Sequence, residues 1–171
     1  MSGLTTNQKG AIAEARIIAD AIGLGIAVYR PAMEGGRYDM IFGIGERLIR
    51  IQCKWAPMHN GVVVIRGYSC RRSADGLLKR VYTADEIDAF AAYCASLDKC
   101  YFISVELVEG SPQISLRVGA TQNNQRRRVR WARDFEFGAT MPLDANGPIA
   151  QLGEHLHGMQ KAVGSSPTGS T

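Results

Sequence analysis

Residues Arg37 to Lys54 read RYDMIFGIGERLIRIQCK and are the most informative segment of this chain. Its two apolar runs flank a Gly-Ile-Gly turn, which predicts a β-hairpin. Side chains two apart on a strand share a face, so Gln52 and Lys54 point one way while Cys53 points the other. Asp39, thirteen positions before Gln52, is expected beside them on the neighbouring strand. An acid, an amide oxygen and a lysine on one sheet face can hold a divalent metal ion and position a water against a phosphate.

The composition is that of a small globular protein. The chain has 171 residues, 46% of them hydrophobic, which suits one domain with a buried core. Its net charge of +4 leans towards a polyanionic partner. No segment resembles a signal peptide or is long enough to span a bilayer, so no membrane contact is expected. The four cysteines lack zinc-site spacing and indicate reduced thiols, hence a cytoplasmic, intracellular protein.

An amphipathic helix is predicted over Thr6 to Gly23, with Thr6 or Asn7 as its cap. Glu14 lies on or beside the apolar stripe of this helix, where an unpaired carboxylate would be costly to bury. A metal ion would supply its partner; the alternative is an edge glutamate whose head reaches water. The residues predicted to form the stripe are Ala11, Ala15, Ile18, Ala19 and Ile22.

Further strands and a second helix are predicted along the rest of the chain. The strands are expected at Ile26 to Arg30, Val62 to Ile65, Tyr101 to Val105 and Ile114 to Val118. The second helix is predicted from Thr83 or Ala84 to about Ala95, and it offers a surface for assembly. Its inward residues would be Ile87, Phe90, Ala91 and Cys94.

Two basic segments favour contact with nucleic acid. Residues 66–83 are predicted to form a basic loop that carries Arg66, Arg71 and Arg72. Further along, four arginines fall within five positions beside amides and an aromatic residue, which suits phosphate contacts and base-edge reading. The alternative is a solvated charge run at the domain edge. The candidate DNA-binding residues of this second segment are Asn123, Asn124, Gln125, Arg126, Arg127, Arg128 and Arg130.

Glu14 on the first helix, Asp39, and Gln52-x-Lys54 on paired strands resemble the core of PD-(D/E)XK nucleases. Within that superfamily they resemble group I intron-encoded homing endonucleases, which use glutamine in the acidic position before x-Lys. The resemblance covers roughly Thr6 to Phe137 and implies an α/β, restriction-endonuclease-like core: a central mixed β-sheet flanked by helices, within a domain over 1–144. The other supporting fragments are Arg37-Tyr38-Asp39, Arg50-Ile51-Gln52-Cys53-Lys54, Asp85-Glu86-Ile87-Asp88, Cys100-Tyr101-Phe102-Ile103 and Asn123-Asn124-Gln125 ahead of Trp131-Ala132.

The chain departs from the family pattern at two places. Ala32 rather than an acid follows Pro31, so the Pro-Asp pair is missing as a dipeptide. Gln52 stands where most members have Glu or Asp, so the metal site loses one formal charge.

The resemblance implies a metal-dependent phosphodiesterase site. Asp39 would be the principal ligand of Mg²⁺ or Mn²⁺, and the Gln52 amide oxygen and the Cys53 backbone carbonyl would complete the protein side. Glu14 would hold the ion or its water from the helix. Lys54 would orient the attacking water and counter charge on the phosphate. The alternative for Lys54 is a salt bridge with Asp39.

The implied activity is site-specific cleavage of double-stranded DNA. Cutting both strands at one place takes two sites related by symmetry, so a homo-oligomer, a dimer or tetramer, is expected. Two alternatives stay open. One is a structure-specific nuclease like a Holliday-junction resolvase on the same core. The other is a catalytically inactive DNA-binding module, which the neutral Gln52 would allow.

The tail over 145–171 is rich in Gly, Ser, Thr and Pro near its end and is predicted to be flexible. Read as codons, Val163 to Pro167 can be written GTG GGT TCG AGT CCC, which contains the T-arm sequence of a tRNA gene. Gly147 to Glu154 and Thr168 to Thr171 can be written as pairing acceptor strands, the first followed by a D arm. His157 to Met159 can be written CAT GGC ATG, which places GGC, an alanine anticodon, in a loop. The tail therefore resembles a translated tRNA-Ala gene; the alternative is a low-complexity tail that permits this writing by chance.

Overall fold

The computed structural model describes residues 3–33, 35–74, 76–108, 111–119 and 129–139. Within these ranges the chain forms an α-helix, ten strands and two short 3₁₀ helices. In chain order the elements are α1 (Thr6–Gly23), β1 (Ala27–Tyr29), β2 (Met40–Ile44), β3 (Arg47–Trp55), β4 (Met58–His59), β5 (Val62–Arg66), β6 (Tyr68–Ser73), β7 (Gly76–Val81), β8 (Ala89–Cys94), β9 (Lys99–Ser104), a 3₁₀ helix (Val105–Leu107), β10 (Gln113–Arg117) and a second 3₁₀ helix (Ala132–Phe135).

A five-stranded mixed sheet in the order β1-β2-β3-β8-β9 forms the centre of the fold. β3 and β8 are parallel, and every other neighbouring pair is antiparallel. The hairpin predicted around the Gly-Ile-Gly turn is confirmed as β2 and β3. A three-stranded sheet, β10-β5-β4, lies beside the central sheet. This mixed α/β architecture is the fold class that the sequence predicts.

Helix α1 packs on one face of the central sheet. Its cap is Thr5, whose side chain accepts from the Gln8 N–H while the Gln8 side chain accepts from the Thr5 N–H in return, which forms a capping box. The cap therefore lies one residue before Thr6, the earlier of the two predicted positions. The buried residues are Ala13, Ile17 and Ala21. The predicted stripe is wrong, since its alanines are exposed and Ile22 is 59% exposed. The helix is rotated relative to the prediction, because Ala13, Ile17 and Ala21, with Ile12 and Ile18 beside them, supply the packing surface.

The second predicted helix is wrong: its core is the strand β8. All six residues of β8 are buried between β3 and β9, and the segment before it is a turn. A central strand covered on both faces needs a continuous apolar run, and over a short length such a run cannot be distinguished from a helix by periodicity. The surface that this helix was expected to offer for assembly therefore does not exist.

The predicted basic loop is a two-stranded antiparallel ribbon made of β6 and β7, separate from both sheets. Every residue of β7 is exposed, including Leu77 and Leu78. Arg71 and Arg72 pair through their backbones with these two leucines. A free-standing ribbon cannot be stabilised by its own two strands alone, so its base has to be held by the rest of the domain.

The two faces of β3 belong to different cores. Ile51 and Cys53 lie in the cluster beneath α1, while Gln52 and Lys54 face away from it, as the alternation predicts. The second cluster lies between the central sheet and β5 and includes Phe90 and Tyr82. Within the described ranges, no helix combines the length and apolar character needed to cross a membrane.

Arg50 fastens the turn before β8 to β3. Its guanidinium donates to Asp88 at 2.8 and 3.1 Å and to the backbone carbonyls of Ala84 and Asp85, and Asp88 also accepts from the Arg50 N–H at 2.7 Å. Burial raises the pKa of Asp88, but the hydrogen bonds and charge of Arg50 outweigh burial and leave it below its ordinary value. This contribution to stability is present above pH 3.8, the ordinary Asp pKa, and is lost as pH falls through the lowered one.

We expect Asp88→Asn to lower the free energy of unfolding at neutral pH by about 1–2 kcal/mol, since it weakens charge-assisted hydrogen bonds. The difference from wild type should shrink as the pH falls below the ordinary Asp pKa. Urea unfolding at pH 7 and at about pH 3 measures it. Asp85→Asn is the matched control, because Asp85 is exposed and binds Arg50 through its backbone carbonyl. An equal, pH-independent loss in both variants would contradict the assignment.

Candidate active site

Asp39 lies immediately before β2, where its N–H donates to the Ile51 carbonyl at 2.8 Å. One carboxylate oxygen, Oδ2, accepts from the Cys53 N–H at 2.7 Å and from the Gln52 side-chain amide. Burial raises the pKa of Asp39 above its ordinary value, although these hydrogen bonds and the nearby Lys54 ammonium oppose the shift. The hairpin therefore brings Asp39 against Gln52 and Cys53, as the sequence predicts.

Gln52 is 8% exposed, and its side-chain amide lies between two oxygens. Its Nε2 donates to Asp39 Oδ2 and lies 3.3 Å from the Cys53 carbonyl oxygen. The amide nitrogen occupies this position because Asp39 Oδ2 and the Cys53 carbonyl oxygen are both acceptors. An amide oxygen in the same position would be repelled by these two oxygens. Rotation of the amide would turn its oxygen towards the same point. The predicted metal ligation by Gln52 therefore requires the opposite amide orientation.

The donors that converge here are a carboxylate, an amide and a backbone carbonyl. Oxygen donors of this kind suit a hard cation such as Mg²⁺ or Mn²⁺. No cluster of three His, Cys, Asp or Glu side chains that could hold a metal occurs among the described residues. Gln52 explains part of this finding, because an acid at that position would add a second carboxylate beside Asp39. These donors fit a divalent ion, and their total negative charge is smaller than that of a site with two carboxylates.

Glu14 projects from α1 with its side chain 30% exposed. Its Oε2 accepts from Arg30, just beyond β1, at 2.9 Å. The sequence left this carboxylate with either a metal or water as partner, and the structure supplies an arginine. Glu14 is also among the groups whose charge raises the pKa of the Cys53 thiol, behind burial and Asp39. Helix α1, which carries Glu14, packs on the face of β3 that carries Cys53.

Lys54 is half-buried, and its ammonium contacts the ribbon. Its Nζ donates to the Tyr68 carbonyl at 3.3 Å and lies 4.5 Å from the centroid of the Tyr82 ring. Lys54 and Asp39 are both described, yet they form no direct ion pair within 4.0 Å, so the salt-bridge alternative is wrong. Burial lowers the pKa of Lys54 to about 8, with the Asp39 charge opposing the shift.

Arg37 and Tyr82 belong to the same constellation, and sequence reasoning gave neither a role. The Arg37 guanidinium lies 4.0 Å from the Tyr82 ring centroid and donates to Ser69 Oγ at 3.1 Å. It also donates to the Val81 carbonyl at 3.1 Å and to Glu86 at 2.7 Å. The position of Arg37 two residues before Asp39 was a usable signal. Tyr82 is far from both in sequence, so it carried none.

The structure describes only some of the predicted DNA-binding residues. Arg66 is exposed at the end of β5, and Arg130 is exposed while its carbonyl accepts from the Arg117 N–H at 2.8 Å. Arg71 and Arg72 lie within β6, and their side chains are outside the described part of the structure. Residues 123–128, the amide and arginine run, also lie outside the described residues.

Comparison with known proteins identifies the class to which this fold and site belong. A family model described as PD-(D/E)XK endonuclease matches residues 4–138, and the chain therefore belongs to the PD-(D/E)XK endonuclease family. Comparison with curated proteins gave no match.

Among solved structures, a bacterial homing endonuclease, I-Ssp6803I, superposes with a TM-score of 0.67 at 22% identity, covering 90% of this chain and 99% of that one. Hjc, a Holliday junction resolvase from the archaeal hyperthermophile Archaeoglobus fulgidus, gives a TM-score of 0.40 at 15% identity, over 64% of this chain and 84% of that one. The first of these likenesses shows that the two proteins share a fold.

Proposed function

We propose that this protein is a site-specific endonuclease of the homing type that hydrolyses double-stranded DNA with Mg²⁺ or Mn²⁺. The observation that carries the proposal is the contact of Asp39 with Gln52 and Cys53 beside the Lys54 ammonium, in a chain of the PD-(D/E)XK endonuclease family. The fold shared with a bacterial homing endonuclease supports the proposal.

Each residue has a separate role in the proposed reaction. Asp39, the Gln52 amide oxygen and the Cys53 carbonyl would hold the ion, and Glu14 would contribute from α1 in place of its contact with Arg30. The ion, when bound, lowers the pKa of a water and offsets negative charge on the phosphate. Lys54 orients the attacking water and places positive charge beside the phosphate oxygens, where charge accumulates in the transition state.

The ribbon is the proposed DNA-binding surface. A two-stranded β-ribbon fits the major groove of B-DNA, and exposed cations neutralise the phosphates on either side. Arg66, Lys79 and Arg80 are exposed on or next to this ribbon. The amide and arginine run at 123–130 is proposed as a second contact. Because one site cuts one strand, the active form is a homo-oligomer, a dimer or tetramer.

The proposed target is a sequence in or near a tRNA gene, and tRNA-Ala is the first candidate. The proposal rests on the tail, whose residues can be written as a tRNA-Ala gene in one reading frame. A homing endonuclease is encoded beside its target or the disrupted copy of it. Cleavage of genomic DNA by the full chain, followed by sequencing of the ends, tests this. Ends that map away from tRNA genes would remove the target assignment and leave the nuclease assignment intact.

Cleavage of matched substrates tests the activity itself. The full chain is incubated with Mg²⁺ and genomic DNA fragments, with a four-way junction, and with either substrate plus a chelator. We expect metal-dependent double-strand breaks at discrete positions in linear DNA. Preferred cutting of the junction would replace the homing assignment with a resolvase, and binding without any cutting would leave a DNA-binding module.

We expect the double variant Arg66→Gln/Lys79→Gln to bind DNA more weakly and with less dependence on salt. Loss of two phosphate contacts should reduce the slope of log K against log salt concentration by about 2. Filter binding in Ca²⁺ over a series of salt concentrations measures the slope. Arg47→Gln is the control, because Arg47 is an exposed cation seven residues before Lys54 on β3, about 23 Å away along the strand. An unchanged slope in the double variant would exclude the ribbon as a phosphate-binding surface.

A further inference from the structure

Both ends of the ribbon meet at Lys54. Tyr68, whose carbonyl accepts from the Lys54 ammonium at 3.3 Å, is the first residue of β6. Tyr82, whose ring lies under the same ammonium, directly follows β7. The side chain of Lys54 therefore extends from β3 and contacts the base of the ribbon.

The Tyr82 ring is fixed from below by the core. It is 8% exposed and packs edge-on against Phe90 of β8 at a centroid separation of 5.6 Å. Its backbone N–H donates to the Gly67 carbonyl at 3.0 Å. Because both its ring and its backbone are held, Tyr82 can present a stationary aromatic face to a cation.

The Tyr82 ring contacts two cations at once. Arg37 Cζ lies 4.0 Å and Lys54 Nζ lies 4.5 Å from the ring centroid. Arg37 is itself immobilised, because it binds Ser69 of β6, the Val81 carbonyl of β7 and Glu86. Glu86 also accepts from Arg80 of the ribbon, so one carboxylate joins the ribbon to Arg37.

The arrangement has a functional consequence for a flexible side chain. A lysine has four rotatable bonds and loses conformational freedom when its ammonium is confined. The Tyr82 ring and the Tyr68 carbonyl confine the ammonium before DNA arrives. The ammonium has three donors and gives one to the Tyr68 carbonyl, so donors remain for a phosphate.

We propose that Tyr82 and Arg37 are positioning residues that seat the Lys54 ammonium at the base of the ribbon, so that the surface that binds DNA also aims the lysine at the scissile phosphate. This inference rests on the proposed function. It predicts that loss of the Tyr82 ring slows cleavage while leaving DNA affinity in place.

A spectroscopic test is independent of cleavage. Lysines are ¹³C-dimethylated in the metal-free protein, and the Lys54 signal is assigned by its absence in Lys54→Arg. Ring currents should shift the Lys54 methyl signal upfield of the exposed lysines in wild type and in Tyr82→Phe, which keeps the ring. The shift should be lost in Tyr82→Leu. A Lys54 signal that is the same in Tyr82→Leu as in Tyr82→Phe would overturn the inference, even if the chain cuts no DNA.

A kinetic test uses single-turnover cleavage at saturating enzyme, with DNA affinity measured separately in Ca²⁺. Tyr82→Leu should cleave about tenfold more slowly than Tyr82→Phe, with the dissociation constant unchanged. Arg37→Met should show the same division between rate and affinity. Tyr93→Leu is the matched control, because Tyr93 is a buried tyrosine whose ring packs on Trp55 and lies under Arg16 instead of Lys54.

The outcomes separate this inference from the proposed function. An equal loss of rate in Tyr93→Leu and Tyr82→Leu, or a loss confined to DNA affinity, would overturn the positioning role. Absence of metal-dependent cleavage by wild type would overturn the nuclease activity, and the methyl signal would then decide whether the lysine is seated as proposed.

Discussion

Asp39→Asn is expected to reduce DNA cleavage by roughly a thousandfold, because the substitution removes the carboxylate charge from the centre of the candidate metal site. Asparagine has nearly the same shape, so it can still accept from the Cys53 N–H and the Gln52 amide. The fold and the affinity for DNA should therefore be retained. Single-turnover cleavage in Mg²⁺, DNA binding in Ca²⁺ and calorimetric titration with Mn²⁺ measure the three quantities.

The control for Asp39→Asn is Asp134→Asn, an acid in the second 3₁₀ helix that is 52% exposed. It should cleave at the wild-type rate. Cleavage by Asp39→Asn within a factor of a few of wild type would show that Asp39 is not the principal ligand. Loss of cleavage together with a lowered melting temperature would instead indicate that Asp39 acts in the β2–β3 hairpin.

Lys54→Met is expected to reduce cleavage by roughly a thousandfold through a different step, because it removes the positive charge beside the phosphate. Methionine fills most of the volume of the lysine stem and can keep its packing against Tyr82. Mn²⁺ binding should persist in this variant, whereas it should fall in Asp39→Asn. Calorimetric titration thus separates the loss of a ligand from the loss of a group that acts on the water and phosphate.

Lys99→Met is the control for removal of a lysine charge, since Lys99 lies on β9 and pairs with Glu136 at 2.7 Å. Its cleavage rate should match that of wild type. Retention of more than about a tenth of the activity in Lys54→Met would reject a direct catalytic role for the lysine. A parallel loss of Mn²⁺ binding would show that Lys54 organises the metal site instead.

The part of the site that lies close together in sequence could be predicted. Asp39, Gln52 and Lys54 belong to one hairpin, so the alternation of side chains along β3 and the short turn were enough to bring them together. The sequence also predicted that Glu14 needs a partner, and the partner in the structure is Arg30 rather than the metal ion or water that was expected. Arg30, the partner of Glu14, lies just beyond β1, and no local sequence pattern predicts where this segment lies relative to α1.

The errors came from elements whose environment is set by distant segments. Phe90 and Tyr93 are buried because β8 inserts between β3 and β9, and an apolar run of six residues is compatible with either a helix or a strand. The ribbon was predicted to be a loop because its sequence lacks the alternating apolar residues of a strand that packs on a core. The contact between Tyr82 and Lys54 forms because both ribbon strands return to β3, and no local sequence pattern predicts this return.

The path of the chain between β3 and β8 bears on how new recognition could arise. These strands are parallel neighbours, yet the chain leaves the first at Trp55 and enters the second at Ala89, and in between it builds the ribbon. The contacts that hold the five-stranded sheet do not pass through the ribbon tip, so substitutions there carry little risk of unfolding the domain. Under the proposed DNA-binding role of the ribbon, exchange of its outer part would change the target while its two ends keep their contacts with Lys54.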